Sequence, residues 1–131
     1  MDSSKKLGIA AAFKAYGAKL KNARWAVSAI AADGALVMSC RETYLRKGDN
    51  CLAYIDSLSR WAEGSQTGQE LLRSHLTDGL GQALPVRLVV AHSAVAGGPR
   101  TSEWFHVRPD LVGQVVLFDG DQFRIEFRKA A

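Results

Sequence analysis

Two Asp-Gly dipeptides, Asp33-Gly34 and Asp119-Gly120, each lie between short apolar runs. The pair suits a tight hairpin turn, because aspartate tolerates and glycine readily adopts the left-handed backbone such a turn needs. One lies near each end of the chain, so a hairpin is expected to open the sheet and another to close it. These turns constrain the fold and carry no chemistry.

The chain has 131 residues, with 47% hydrophobic and 23% charged side chains. That length and balance fit one globular domain over residues 1–131 and exclude a wholly disordered chain. No apolar run approaches the roughly 18 residues that would cross a membrane. The run from Leu7 to Ala12 is too short for a secretory core and contains Gly8, so a cytoplasmic protein is expected. Cys40 and Cys51 lack CxxC spacing and nearby histidine ligands, which predicts two reduced thiols and no cofactor. The net charge of +4 and a sequence pI near 9.3 make a polyanionic partner worth seeking.

Hydrophobic spacing predicts a first helix over residues 4–21, capped by Ser3 or Ser4, with Ile9, Phe13, Tyr16 and Leu20 on one stripe. Lys14 and Lys21 fall opposite that stripe. Strands follow over 25–31 and 36–41. A two-residue Asp33-Gly34 loop sets Ala31 opposite Leu36, Ala29 opposite Met38 and Val27 opposite Cys40, with Trp25 on the same core face. The stretch 42–64 fits a helix through Cys51, Ile55, Leu58 and Ala62, or a strand by alternation. The turn chemistry of Gly48-Asp49-Asn50 tips it towards a strand.

A second helix is expected over 66–82, burying Leu71, Leu72, His75, Leu76 and Leu80, and Pro85 forces its exit. Residues 86–91 (VRLVVA) are nearly continuously aliphatic, which predicts a central strand covered on both faces. Residues 93–102 form a Gly-rich loop, 103–108 a short strand, and Pro109-Asp110 a turn. The last hairpin joins 114–118 to 123–129. Burial favours the register that pairs Phe118 with Phe123 and Val116 with Ile125, placing Phe127 on the same face. The sum is an α+β fold, in the order α-β-β-(β or α)-α-β-β-β-β. A mostly antiparallel twisted sheet of six to seven strands, curling at the extreme towards a half-barrel, packs against two helices.

The chemistry is less defined. Gly97-Gly98-Pro99-Arg100 is not followed by a helix and so is no phosphate loop. His75 falls on an apolar helix stripe, where a satisfied core histidine is expected. His92 and His106 meet if their strands pair, but two histidines without a third ligand do not define a zinc site. Asp119-Gly120-Asp121 is explained by hairpin chemistry and lacks the other ligands of a calcium loop. Asp119, Asp121 and Glu126 with Lys129 are the only carboxylate grouping of the kind a metal-dependent nuclease uses.

Three classes of function remain. The first is a nucleic-acid-binding accessory module for DNA or RNA, in which cations neutralise phosphates beside stacking aromatics. Its candidate contacts are Lys14, Lys21, Arg24, Arg41, Arg46 and Lys47, with the Arg/Trp groupings Arg60-Trp61 and Arg100 to Trp104. The second is a non-catalytic assembly module, self-associating through an edge strand. The third is a small enzyme with His92, His106 and Arg100 as its convergent polar groups.

Overall fold

A computed structural model describes residues 6–21, 26–61, 66–93 and 103–130, with backbone alone at Trp61 and Ser93. Its strands are β1 (Ser28–Ile30), β2 (Leu36–Arg41), β3 (Leu45–Gly48), β4 (Cys51–Ser57), β5 (Val86–Ser93), β6 (Glu103–Val107), β7 (Leu111–Phe118) and β8 (Gln122–Lys129). The helices are α1 (Ile9–Lys14) and α2 (Gln66–Gly81), and single 3-10 turns sit at Glu42–Tyr44 and Leu58–Trp61. Eight strands, one or two more than expected, form one sheet in the order β1-β2-β5-β7-β8-β4-β3, and β6 branches from β5. Every pairing is antiparallel except β2 with β5.

The sheet is open but strongly curved. The three residues Glu42–Tyr44 carry the chain from β2 to β3, although four strands stand between those two in the sheet. Five inter-strand steps would span about 24 Å if flat. A single 3-10 turn rises only about 2 Å per residue, so the sheet must bend to bring its ends together. One core lies inside the bend: Met38 and Cys40 from β2, Tyr54 from β4 and Phe123, Ile125 and Phe127 from β8 pack with Leu72 and Leu76 of α2. Val37, Val89, Ala91, Phe105 and Val107, on the opposite face, pack with Ile9, Ala12 and Phe13 of α1. The two helices thus cover opposite faces, and β2 and β5 are buried on both sides.

Several boundaries and registers differ from the sequence expectation, each for a local reason. The first helix is six residues long rather than eighteen or so: Gly8 is its extended N-cap, and Gly17 adopts φ +76°. The Gly17 N–H then donates to the Lys14 carbonyl and the Ala18 N–H to the Phe13 carbonyl, the paired bonds that close a helix at a left-handed glycine. The first hairpin is shifted by one residue, pairing Ser28 with Met38, Ala29 with Val37 and Ile30 with Leu36. Its loop has three residues, with Gly34 at φ +90° and the Asp33 carboxylate accepting from the Ala35 N–H. A glycine bulge of this kind is the standard three-residue alternative to a two-residue turn. Trp25 lies outside the described residues.

The ambiguous stretch is a hairpin of β3 and β4, so the strand expectation holds. It lies beside β8 at the far end of the sheet, not beside β2. In α2 the deeply buried residues are Leu72, Leu76 and Gly79. Leu71 and His75 sit at the border, and Leu80 is 41% exposed. Phe118 does pair with Phe123, but a bulge between Val115 and Leu117 turns Val116 outwards, and Val115 takes its place opposite Ile125. Among the described residues no helix is long and apolar enough to cross a membrane.

Candidate active site: a Glu–His–His chain

The pairing of β5 with β6 sets His92 opposite Trp104 and Val90 opposite His106. Strand alternation puts all four side chains on one face. On the other side of β5, the parallel register places Arg41 beside Ala91, so the next residue, Glu42, falls beside His92 as the 3-10 turn begins. At the outer edge of β6, an isolated bridge between Leu7 and Phe105 brings Lys6 alongside His106. Four separate segments therefore meet here.

Glu42 Oε2 lies 2.8 Å from His92 Nδ1, and His92 Nε2 lies 2.8 Å from His106 Nδ1. An ionised carboxylate can only accept, so His92 Nδ1 carries the hydrogen. In neutral His92, Nε2 is then an acceptor and His106 Nδ1 must donate to it. The outcome is that His106 Nε2 bears the lone pair, and no hydrogen-bond partner occupies it among the described residues. Burial, His92 and Arg108 hold the His106 imidazole below its ordinary pKa of 6.5, against a smaller opposing pull from Glu42. The outermost histidine is thus a neutral base at pH 7.

Trp104 fixes this chain mechanically. Its ring stacks on His92 at 3.9 Å between centroids and 9° between planes, while the Lys6 ammonium lies 4.9 Å from the centroid of the same ring. The indole stands between His92, from β5, and Lys6, from the segment beyond β6. Arg108, two residues past His106, is held by both oxygens of Asp110 at 3.0 and 2.8 Å. Glu42, at 61% side-chain exposure, opens to water, whereas His92 is only 14% exposed.

A second polar cluster adjoins the same 3-10 turn and has a structural explanation. Asp56, buried on β4, accepts from the Tyr54 hydroxyl at 2.6 Å and from Arg60 Nε at 2.7 and 2.9 Å. The Arg60 guanidinium lies over the Tyr44 ring at 4.8 Å. Burial pushes the Tyr54 hydroxyl and the Cys40 thiol well above their ordinary pKa values. Glu42 and Tyr44, at the two ends of one turn, thus pin both clusters to the same link.

The ten residues proposed from sequence as nucleic-acid contacts are spread over the fold. Lys14 is exposed on α1, Lys21 beyond it, and Arg46 and Lys47 on the edge strand β3. Arg46 donates to the carbonyls of Thr43 and Leu45, Arg41 lies 3.6 Å from the Glu103 carboxylate, and Arg60 is committed to Asp56. Trp104 belongs to the histidine chain. Arg24, Arg100 and the Trp61 side chain lie outside what the structure describes.

His75, as expected, is a satisfied border histidine, with Nδ1 2.7 Å from Ser28 Oγ. Cys40 and Cys51 are free thiols. Asp119 accepts from the Asp121 and Gln122 N–H groups of its own turn, Asp121 accepts from Ser59, and Glu126 bridges Arg124 and Arg128. Among the described residues no group of three potential ligands could hold a metal ion. Strand pairing brings His92 and His106 together as the sequence suggested. Glu42 and Lys6 escaped notice because only the parallel β2–β5 register and the Leu7 bridge place them there, and neither leaves a local mark in the sequence.

The protein is thus defined by its fold and site as an open, curved α+β sheet carrying a Glu–His–His chain at one end. Comparisons with protein-family models, curated proteins and solved structures found no match.

Proposed function

We propose that the protein is a small acid–base catalyst with His106 as its proton-accepting group. The observation that carries this is the unbroken run of 2.8 Å contacts from Glu42 through His92 to His106. When His106 Nε2 takes a proton from a substrate, its Nδ1 proton moves to His92 Nε2 and the His92 Nδ1 proton moves towards Glu42. The positive charge is spread towards a carboxylate, which favours the protonated state as it forms. Glu42 is solvent-facing, so the proton has an exit to water.

The test is hydrolysis of p-nitrophenyl acetate and bis(p-nitrophenyl) phosphate by the full chain. Positioned general-base catalysis is worth about 10²–10⁴-fold. His106→Gln is expected to lose most of the rate and Glu42→Gln a part of it, both with unchanged thermal melts. Equal rates for wild type and His106→Gln would sink the proposal.

A second proposal, a nucleic-acid-binding module, draws on the exposed Lys14, Lys21 and Lys47 and the +4 net charge. It predicts affinity for single-stranded DNA or RNA that falls steeply with salt. Affinity unchanged between about 50 and 200 mM salt would contradict it.

A further inference from the structure

We infer that the substrate of this site is single-stranded RNA, cleaved by attack of its own 2′-hydroxyl on the adjacent phosphodiester. This rests on His106 acting as a base. Lys6 stands alongside His106 through the Leu7–Phe105 bridge, its ammonium held against Trp104. Arg108 adds positive potential at the imidazole. An anionic group is therefore the natural neighbour of whatever gives up the proton, and the +4 chain attracts polyanions generally.

The nucleophile must also be accounted for. Among the described residues the side-chain hydrogen bonds of His106 run to His92 alone, so none of the described hydroxyls or thiols is lined up to be activated. A substrate that carries its own hydroxyl next to its own phosphate supplies nucleophile and electrophile in one molecule, with the rate advantage of an intramolecular reaction. RNA has that arrangement at every residue and DNA has it nowhere. Single strands are favoured because a regular A-form helix holds the 2′-oxygen out of line with the departing 5′-oxygen.

The step balances without a co-reactant. His106 Nε2 removes the 2′-hydroxyl proton, the 2′-oxygen forms a bond to phosphorus, and the bond from phosphorus to the 5′-oxygen breaks. The leaving 5′-oxygen, on the far side of phosphorus, takes a proton from solvent water, and the proton gained by His106 returns to water through His92 and the solvent-facing Glu42. Lys6 faces the negative charge that gathers on the non-bridging oxygens. The products are a 2′,3′-cyclic phosphate and a 5′-hydroxyl.

The experiment uses the full chain with a 5′-labelled single-stranded RNA and the DNA of the same sequence, beside the nitrophenyl substrates. Expected are RNA fragments ending in 2′,3′-cyclic phosphate, no cut in DNA, and at least a 100-fold loss in His106→Gln purified identically. Lys6→Ala should raise KM about tenfold with Lys6→Arg restoring most of it, which a merely structural lysine would not show. Intact RNA alongside His106-dependent hydrolysis of the nitrophenyl substrates would overturn the RNA assignment and leave the base intact. DNA cut as readily as RNA, or RNA cut equally by His106→Gln, would overturn it too. Silence on every substrate would remove both the substrate and the base.

Discussion

Asp56 is 8% exposed and takes hydrogen bonds from Tyr54, Arg60 and its neighbour Ser57. A buried carboxylate is tolerable only with such partners, and removing its charge strands them. Asp56→Asn is expected to cost about 2–3 kcal/mol in urea unfolding, towards the low end for buried pairs because solvent still reaches the guanidinium. Unchanged stability would show the cluster to be ornamental. Gly113 gives a sharper steric case. A Cβ there would collide with Phe127 Cδ1 and stand 3.1 Å from the Glu126 carbonyl, and the Phe127 ring is fully buried. Gly113→Ala should cost about 1–3 kcal/mol by overpacking. Gly81→Ala, with nothing within 4 Å of its Cβ, should instead gain about 0.5 kcal/mol from helix propensity. Denaturant midpoints of the two variants moving the same way would contradict this.

At the scale of elements, α1 ends where Gly17 turns left-handed. Gly17→Ala is expected to cost about 1 kcal/mol through that dihedral, though its Cβ would meet open space. A thermal melt unshifted by the change would speak against the cap. The same helix shows why its sequence misled: the apolar stripe runs on through Tyr16 and Leu20, but the glycines interrupt the backbone that would carry it. The helix near 66–81 and the strands over 86–91 and 103–107 were legible because propensity, periodicity and punctuation agree locally there, whereas β5 runs on to Ser93, where a loop was expected. The register of β1 on β2 was not, since both faces are buried and alternation no longer distinguishes inside from outside. The bulge at Val116 is likewise invisible to a pattern that fits equally well without it. Of the site, His92 and His106 followed from strand pairing, whereas Glu42 depends on a parallel partner that arrives more than forty residues later in the chain.

Across the molecule, curvature is what ties the far edge strand β3 to the site, since the short Glu42–Tyr44 link exists only if the sheet bends. Burial also holds His75 and His106 below their ordinary pKa of 6.5. Below pH 6.5 the unfolded chain therefore binds protons that the folded chain refuses, so this part of the stability is present above that pH and lost as pH falls. Melting temperature should decline between pH 7 and pH 5.5, and His75→Gln should flatten the slope. The +4 charge meanwhile has fewer free carriers than the sequence suggests, because Arg41 and Arg60 are engaged with carboxylates.

The proton arrangement along Glu42, His92 and His106 decides whether the site can act as a base, and histidine nitrogen-15 NMR reads it directly. At pH 7 both His92 and His106 should show the Nδ1–H tautomer, with His106 Nε2 bare and titrating below 6.5. Glu42→Gln should release His92 into a tautomer mixture. A His106 signal protonated at Nε2 in the wild-type chain at pH 7 would contradict the account.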